Sequence, residues 1–177
     1  LDRGSIHDEP PGKSMLKQLR QLQAELRELA DEEIAEHSQR FFKTGPGEYG
    51  EGDQFIGIRV PVLRKLAKRN RDLSLDDVAR LLQSPIHEER LLALLILVYQ
   101  FDKADANDQK QIFDFYRMYL KQVNNWDLVD RSAHVIVGGH LFDRSRRWLY
   151  TLAKSNSLWQ RRVAIIATYH FIKRDDF

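Results

Sequence analysis

Residues 88–101 constrain the fold more than any other stretch of the sequence. After a charged first turn, apolar side chains fall in nearly every direction around a helix of this length. The longest apolar run, Leu91 to Tyr99, is far too short to cross a bilayer. We therefore predict a helix at the centre of a protein core, with other helices packed around it. The side chains expected in this shared core are Leu91, Leu94, Leu95 and Val98.

The rest of the chain also has helical periodicity, and no stretch alternates convincingly as a strand. Pro61 stands in the first turn of one helix, and Ser74 caps the next. The glycine-rich residues 43–52 lack the lysine-serine ending of a phosphate-binding loop, which favours a simple connection. We predict an all-α fold. Its helices are residues 15–42 with a break near Asp31, 60–70, a segment after Ser74 that includes Leu82, 88–101, 108–123, 126–142, 145–153 and 157–174.

The order of these helices indicates a particular architecture. They are short, come in consecutive antiparallel pairs and are joined by tight Asn, Ser and Pro turns. Such pairs are typical of an α-solenoid of HEAT-like repeats, in which each pair covers its neighbour's apolar side and leaves a concave face free. Because the internal repeat is weak in sequence, a compact helical bundle remains the alternative.

The length of 177 residues suffices for one domain with its own core. We assign residues 15–177 to this domain and expect a monomer. Residues 1–14 are polar and are predicted to be a disordered leader or an expression remnant. No targeting segment is evident. The absence of cysteine excludes disulfides, thiolate zinc sites and a thiol nucleophile, and it fits a reducing cytoplasm.

Charge is segregated along the chain although the net charge is only +2. Residues 59–71 contain six basic side chains and no acid, and residues 144–162 contain six more, again without an acid. Acidic residues gather instead within 25–36 and 102–114. This distribution predicts a basic face whose natural partner is a polyanion, although solvated helix faces also produce basic runs.

Residues 124–130, with the sequence NNWDLVD, place an aromatic ring beside a carboxylate. Trp126 and Asp130 are spaced i, i+4, so on a helix they share one face, at the border between its apolar and polar arcs. The polar arc is predicted to hold Asp127, Arg131 and His134. A carboxylate beside an aromatic ring can receive a cation. The alternative is a capping aspartate and a core tryptophan.

Four motifs, in this order, resemble a known family. Residues 55–66 (FIGIRVPVLRKL), 88–90 (EER), 126–130 (WDLVD) and 159–165 (WQRRVAI) are similar to those of DNA alkylation repair enzymes of the AlkD type. The resemblance covers most of the chain, from about Phe41 onward. It implies a HEAT-like fold whose concave, basic face holds duplex DNA. It also implies hydrolysis of the N-glycosidic bond of cationic alkylated purines, chiefly 3-methyladenine and 7-methylguanine.

The resemblance also assigns roles to residues. It places the catalytic aspartate at Asp130, its groove tryptophan at Trp126 and the groove arginine at Arg162. The family's second groove tryptophan belongs to a helix about forty residues beyond Arg162, so the domain is expected to be truncated at its C-terminus. Residues 43–53 suggest a longer subgroup of the family. No cofactor is implied.

Further basic residues are predicted to bind the DNA backbone. Tyr169 and Lys173 lie on nearly the same stripe of the last helix as Arg162, which predicts a grip on the phosphates that flank the lesion. Additional phosphate contacts are expected from Arg59, Arg64, Lys65, Lys68 and Arg69. The histidines show no metal-ligand spacing, so no metal site is predicted, and nothing assigns His134 a catalytic role.

Two function classes remain open from the sequence. The first is a DNA glycosylase that acts through Asp130. The second is a non-catalytic HEAT-repeat module that binds DNA or a protein. The combination of Trp126, Asp130 and Arg162 favours the enzyme, because a carboxylate in a phosphate-binding groove would only repel the ligand of a simple binder.

Overall fold

The computed structural model describes residues 11–175, and the side chains of residues 17–175. No β-strand occurs among these residues, and one isolated bridge pairs Gln54 with Ile86. The predicted all-α fold is confirmed. The helices are α1 (Pro11–Glu28), α2 (Glu32–Phe41), α3 (Val60–Arg69), α4 (Leu75–Leu82), α5 (His87–Lys103), α6 (Ala106–Met118), α7 (Trp126–Ala133), α8 (Gly139–Leu141), α9 (Arg147–Ala153) and α10 (Leu158–Ile172).

Helix α4 begins at the Ser74 cap that the sequence predicts, and α2 begins at the break predicted near Asp31. The Asp31 carboxylate accepts the N–H of Ile34 at 2.9 Å and starts α2, which confirms the break near this residue. Ser74 accepts the N–H of Asp77 at 3.2 Å and starts α4. Helix α1 begins at Pro11, four residues before the predicted start, and residues 1–10 of the predicted leader lie outside the described part of the chain.

Helix α5 is the centre of the core. Every residue from Leu91 to Leu97 is buried, and Val98 is partly buried against the same cluster. Helices α3, α4 and α7 pack against α5, and α10 packs against α7 and α9. The amphipathic α3 turns Leu63, Leu66 and Ala67 towards α5, so its arginines and lysines lie at the surface. None of the described helices is both long enough and apolar enough to span a membrane.

The helix predicted for residues 126–142 is continuous through residue 141, but it contains a π-helical segment that the sequence did not predict. Between α7 and α8, residues His134–Gly138 form a π-helical segment with wider turns. Gly138 lies directly against α10: a Cβ atom at this position would stand 2.3 Å from the Ala167 carbonyl oxygen. The close approach of two backbones therefore requires glycine here, and it fixes α10 beside α7.

The end of the helix predicted for 108–123 also differs. Helix α6 begins after Asp105, whose carboxylate accepts the N–H groups of Asn107 and Asp108, and it ends at Met118. A short 3-10 turn, Leu120–Gln122, then leads the chain into α7. The side chain of Asn125 accepts the Trp126 N–H at 2.8 Å and marks the start of α7.

Candidate active site

Asp130 and Arg162 form the central contact of the site. Arg162 Nε donates to Asp130 Oδ1 and Nη2 donates to Oδ2, both at 2.7 Å, which is the bidentate arrangement of a guanidinium on a carboxylate. Asp130 comes from α7 and Arg162 from α10, so the packing of these two helices brings the pair together. The side chains are 31% and 39% exposed, respectively, and the hydrogen bonds from Arg162 to Asp130 raise the pKa of the guanidinium.

A surface cavity of about 310 Å³ opens beside this pair. Its walls come from α3, α5, α7 and the π-helical segment. The residues that line it are Arg64, Val98, Trp126, Asp127, Asp130, Arg131, His134 and Val135. The structure thus brings Trp126 and Asp130 to one cavity, as their spacing predicts, and adds Arg64 from α3.

His134 also lies at this cavity, although no sequence pattern assigned it a role. Its Nδ1 lies 3.1 Å from the backbone carbonyl oxygen of Asp130, and its ring meets the edge of Tyr169 at 5.9 Å. Burial, followed by the positive charge of Lys173, lowers the pKa of His134 against the opposing backbone hydrogen bond. The carboxylate of Asp130 is therefore paired with Arg162, and His134 contacts only its backbone.

The remaining predicted DNA-binding residues lie at the surface, in two groups. At the end of α10, Lys173 places its Nζ 4.5 Å from the centre of the Tyr169 ring, so these two side chains lie together as their spacing predicts. On α3 and just after it, Lys65, Lys68, Arg69 and Arg71 line an open hollow of about 570 Å³ with Asp72. Arg59 is exposed at the start of α3, and Arg69 forms an ion pair with Glu25 of α1.

A family model for the DNA alkylation repair enzyme matches residues 22–177, most of the chain. The chain belongs to the DNA alkylation repair enzyme family. The matched segment includes α3, α7 and α10, and therefore every residue described at the cavity. No curated protein and no solved structure matches the chain. Membership of this family confirms the resemblance that the four motifs indicated.

A buried polar cluster adjoins the site, and the sequence did not reveal it. His87 lies between two carboxylates, with Nδ1 3.1 Å from Asp53 Oδ2 and Nε2 3.0 Å from Asp127 Oδ2. Arg90 Nη2 donates to Asp53 Oδ1 at 2.6 Å, and Asn125 Nδ2 donates to Asp53 Oδ2 at 3.3 Å. All five residues are buried. The one signal in the sequence was the run of charged residues at the start of an otherwise apolar α5.

Asp127 therefore lies where the sequence did not predict it. The helical projection placed it on the polar arc of α7, together with Arg131 and His134. Its side chain is only 4% exposed and holds His87. The reason is tertiary: the first turn of α7 packs against the start of α5, so a polar arc that looks solvent-facing in isolation is covered there.

An aromatic group lies next to the polar cluster. The ring of Trp126 stacks on Phe42, with centroids 5.2 Å apart and an interplanar angle of 14°. Phe41 meets the edge of Trp126 at 6.1 Å and is itself 57% exposed. Phe42 and Phe55 both contact the His87 ring, at 5.1 and 4.5 Å between centroids. The segment between α2 and α3 therefore forms one wall beside Trp126.

Proposed function

We propose that this protein is a DNA glycosylase that hydrolyses the N-glycosidic bond of cationic alkylated purines, such as 3-methyladenine and 7-methylguanine, in duplex DNA. The observation that carries the proposal is the placement of the Asp130 carboxylate beside Trp126 at an open cavity, where Arg162 holds it in one orientation. Membership of the DNA alkylation repair enzyme family gives the DNA-directed context.

The chemistry matches what one fixed carboxylate can supply. An alkylated purine already carries a positive charge, so it leaves without a general acid when the electron pair of the N-glycosidic bond moves onto its ring. Positive charge then develops on the sugar, and Asp130 stabilises that charge in the transition state. Water adds to the anomeric carbon, and its proton passes to the carboxylate or to solvent. Trp126 offers its ring face to the cation, a contact of about 0.5–2 kcal/mol.

Arg162 can hold Asp130 and a phosphate at the same time. A guanidinium carries five N–H donors, and the bidentate pair uses one at Nε and one at Nη2. The remaining donors can bind a backbone phosphate beside the lesion. The pair also cancels the charge of Asp130, so the carboxylate repels the DNA backbone less than the sequence alone suggested.

The flanking basic groups support a path for the duplex. Arg64 of α3 lines the same cavity as Asp130. Tyr169 and Lys173 lie at the C-terminal end of α10, beyond Arg162. In the proposed complex, these two flanks form the concave basic face of a HEAT-like solenoid. Lys65, Lys68, Arg69 and Arg59 add phosphate contacts that position the duplex without reading its sequence.

A non-catalytic DNA-binding module is the second candidate, and one observation favours it. Both carboxylate oxygens of Asp130 accept hydrogen bonds from Arg162. An aspartate held in this way is also a plain structural link between α7 and α10, and the basic residues would then bind DNA without chemistry. The two candidates differ only in whether the Asp130 charge acts on a sugar.

Base release from methylated DNA separates the candidates. Duplex DNA treated with a methylating agent is incubated with the protein, and free 3-methyladenine and 7-methylguanine are measured by chromatography. We expect release from methylated DNA and none from untreated DNA. Binding of methylated duplex without release of either base would reject the glycosylase and leave the DNA-binding module.

A further inference from the structure

His87 joins three separate segments of the chain through its side chain. It belongs to the first turn of α5, whereas Asp53 lies in the connection between α2 and α3, and Asp127 lies in the first turn of α7. Both ring nitrogens face a carboxylate oxygen at hydrogen-bond distance, 3.1 and 3.0 Å. Two acceptors require two N–H donors, and only the protonated imidazolium has both.

The charges within this cluster balance. With His87 protonated, two cations, His87 and Arg90, face two carboxylates, Asp53 and Asp127, and Asn125 adds a neutral donor. Neutralising His87 would leave an excess negative charge among groups that are almost completely shielded from water. Buried charges are tolerated when they are paired, so the cluster depends on the proton of His87.

The segment that contains Asp53 is attached to the start of α5 at several other points. The carboxylate of Glu88 accepts the N–H groups of Ile56, Gly57 and Ile58, the closest of them Gly57 at 2.8 Å. The N–H of His87 donates to the Gln54 carbonyl oxygen at 2.8 Å. On this side, therefore, the Glu88 carboxylate and one backbone hydrogen bond hold the connection in place without the His87 ring.

The start of α7 is attached by fewer polar contacts, within the part of the chain that the structure describes. Its polar links to this segment and to the start of α5 are the Asp127–His87 contact and the longer hydrogen bond from Asn125 to Asp53, at 3.0 and 3.3 Å. Trp126 lies between Asn125 and Asp127 in sequence. Its ring also stacks on Phe42, which in turn contacts the His87 ring. Two routes thus lead from His87 to Trp126, one through Asp127 and one through Phe42.

We propose that His87 is a positioning residue of the site: its imidazolium bridges Asp127 to Asp53 and so holds the Trp126 ring at the cavity that contains Asp130. This inference rests on the proposed function only for its effect on excision. His87 is 1% exposed and therefore does not touch DNA itself. It acts through the start of α7 and through Phe42.

The proposal has a defined pH dependence. Burial alone lowers the pKa of His87, but the hydrogen bonds to Asp127 and Asp53, together with the negative charges of these carboxylates, raise the pKa above the ordinary value. A group with a raised folded pKa contributes stability that is fully present below its ordinary pKa, about 6.5, and is lost as the pH rises through the folded value. The Trp126 ring should therefore be held less firmly as the pH rises through the folded pKa of His87.

Trp126 can be observed directly after Trp148→Phe and Trp159→Phe make it the sole tryptophan. We expect acrylamide to quench its fluorescence weakly at neutral pH and more strongly as the pH rises. With His87→Gln added, quenching should already be strong at neutral pH and nearly independent of pH. If quenching of Trp126 is the same with and without His87 and does not vary with pH, the positioning role is wrong.

His140→Gln is the matched control. His140 is also a buried histidine, but its ring stacks on Phe113 at 4.1 Å, and burial, followed by the charge of Arg144, lowers its pKa. It is therefore neutral near pH 7, and its replacement should leave the quenching profile of Trp126 unchanged. An equal change in both variants would mean general loosening of the fold and would overturn the assignment.

Asp53→Asn covers the case in which His87→Gln does not fold. It removes one of the two carboxylates that hold the proton on His87 and leaves the Asp127 side intact. We expect the alkaline rise in quenching to move to lower pH. An unchanged profile in this variant would contradict the bridge between Asp53 and Asp127.

The rate of base excision tests the functional effect of His87, and it can be interpreted separately from the quenching of Trp126. His87→Gln should lower kcat by at least about tenfold with little change in KM, since a displacement of about 1 Å costs on the order of 10²-fold. An equal rise in KM with unchanged kcat would contradict positioning at the reacting centre. If the parent protein releases no base, the proposed function fails, while the quenching of Trp126 still decides the role of His87.

Discussion

Asp127 and Asp130 lie three residues apart on α7, and each is bound to a cationic side chain from another helix. The side chain of Asp127 is 4% exposed and contacts His87, whereas that of Asp130 is 31% exposed and contacts Arg162. Three residues turn a helix through about 300°, so the two carboxylates point about 60° apart. That rotation separates a charge enclosed by protein from one that a ligand can reach.

The difference in exposure predicts a difference in what each charge does. A buried ion pair gains little net stability, but removal of one partner is costly because the other charge stays buried. A half-exposed pair is partly screened by water, so its removal costs the fold little. Mutations at Asp127 should therefore appear first in stability, and mutations at Asp130 should appear first in function.

The largest expected effect is a loss of stability when Asp127, the buried aspartate, is replaced. Asp127→Asn should lower the free energy of unfolding by about 3 kcal/mol, because His87 and Arg90 are then opposed by Asp53 alone. Urea denaturation at pH 7 measures this change. A decrease below about 1 kcal/mol would mean that the cluster tolerates an unbalanced charge and that burial does not distinguish the two aspartates.

The next largest effect is on base excision, when the half-exposed Asp130 is replaced. Asp130→Asn keeps the size of the side chain but removes its charge, and it should slow base release by about 10²-fold or more. DNA affinity should hold or rise, since Arg162 is freed for phosphate. Initial rates of 3-methyladenine release and a binding titration measure the two quantities.

Asp114→Asn is the matched control for that experiment. Asp114 is likewise paired with cations, Lys110 and Arg117, but on α6, away from the residues of the cavity. Its replacement should leave excision unchanged. Comparable slowing at both positions would remove the catalytic assignment of Asp130 and would favour a binding module.

A third, smaller effect concerns the basic residues of α3, which flank the cavity. Lys65→Gln combined with Lys68→Gln should flatten the log–log salt dependence of DNA affinity by about 1.8, or about 0.9 for each phosphate that a lysine no longer neutralises. Lys110→Gln on α6 is the control. A salt slope identical to that of the parent protein would mean that these lysines are an ordinary solvated face.

The fold was largely predictable because local signals dominate it. The break near Asp31, the cap at Ser74, the position of Pro61 and the apolar run in α5 all predict elements that the structure shows. The sequence did not predict the π-helical segment, in which the backbone of Gly138 lies against that of α10. The solenoid arrangement and its concave basic face stay predictions.

Local spacing alone could place residues of the candidate site together only where they share a helix. The spacing of Trp126 and Asp130 already placed them on one face, and the family resemblance supplied Arg162. The cluster of Asp53, His87 and Asp127 draws on three segments separated by 34 and 40 positions, and no local pattern connects them. For the same reason, helical geometry alone placed Asp127 on a polar arc and did not show that it is buried.

The smallest expected effect is at Asp114, which completes a series from buried through half-buried to exposed aspartate. Lys110 Nζ lies 2.6 Å from its carboxylate, but the two side chains are 67% and 45% exposed. The hydrogen bond from Lys110 lowers the pKa of Asp114. Stability from a lowered carboxyl pKa is present above the ordinary value of about 3.9 and is lost as the pH falls through the folded value.

Water screens this pair, and the acid follows the base along the helix, which is the weaker order. Asp114→Asn should therefore lower the free energy of unfolding by only about 0.3 kcal/mol at pH 7. The difference from the parent protein should shrink as the pH falls below the ordinary value of about 3.9, because the Asp114 carboxylate of the parent is then progressively neutralised. Urea denaturation at pH 7 and at successively lower pH tests this. A decrease at pH 7 as large as that of Asp127→Asn would show that exposure does not rank these aspartates.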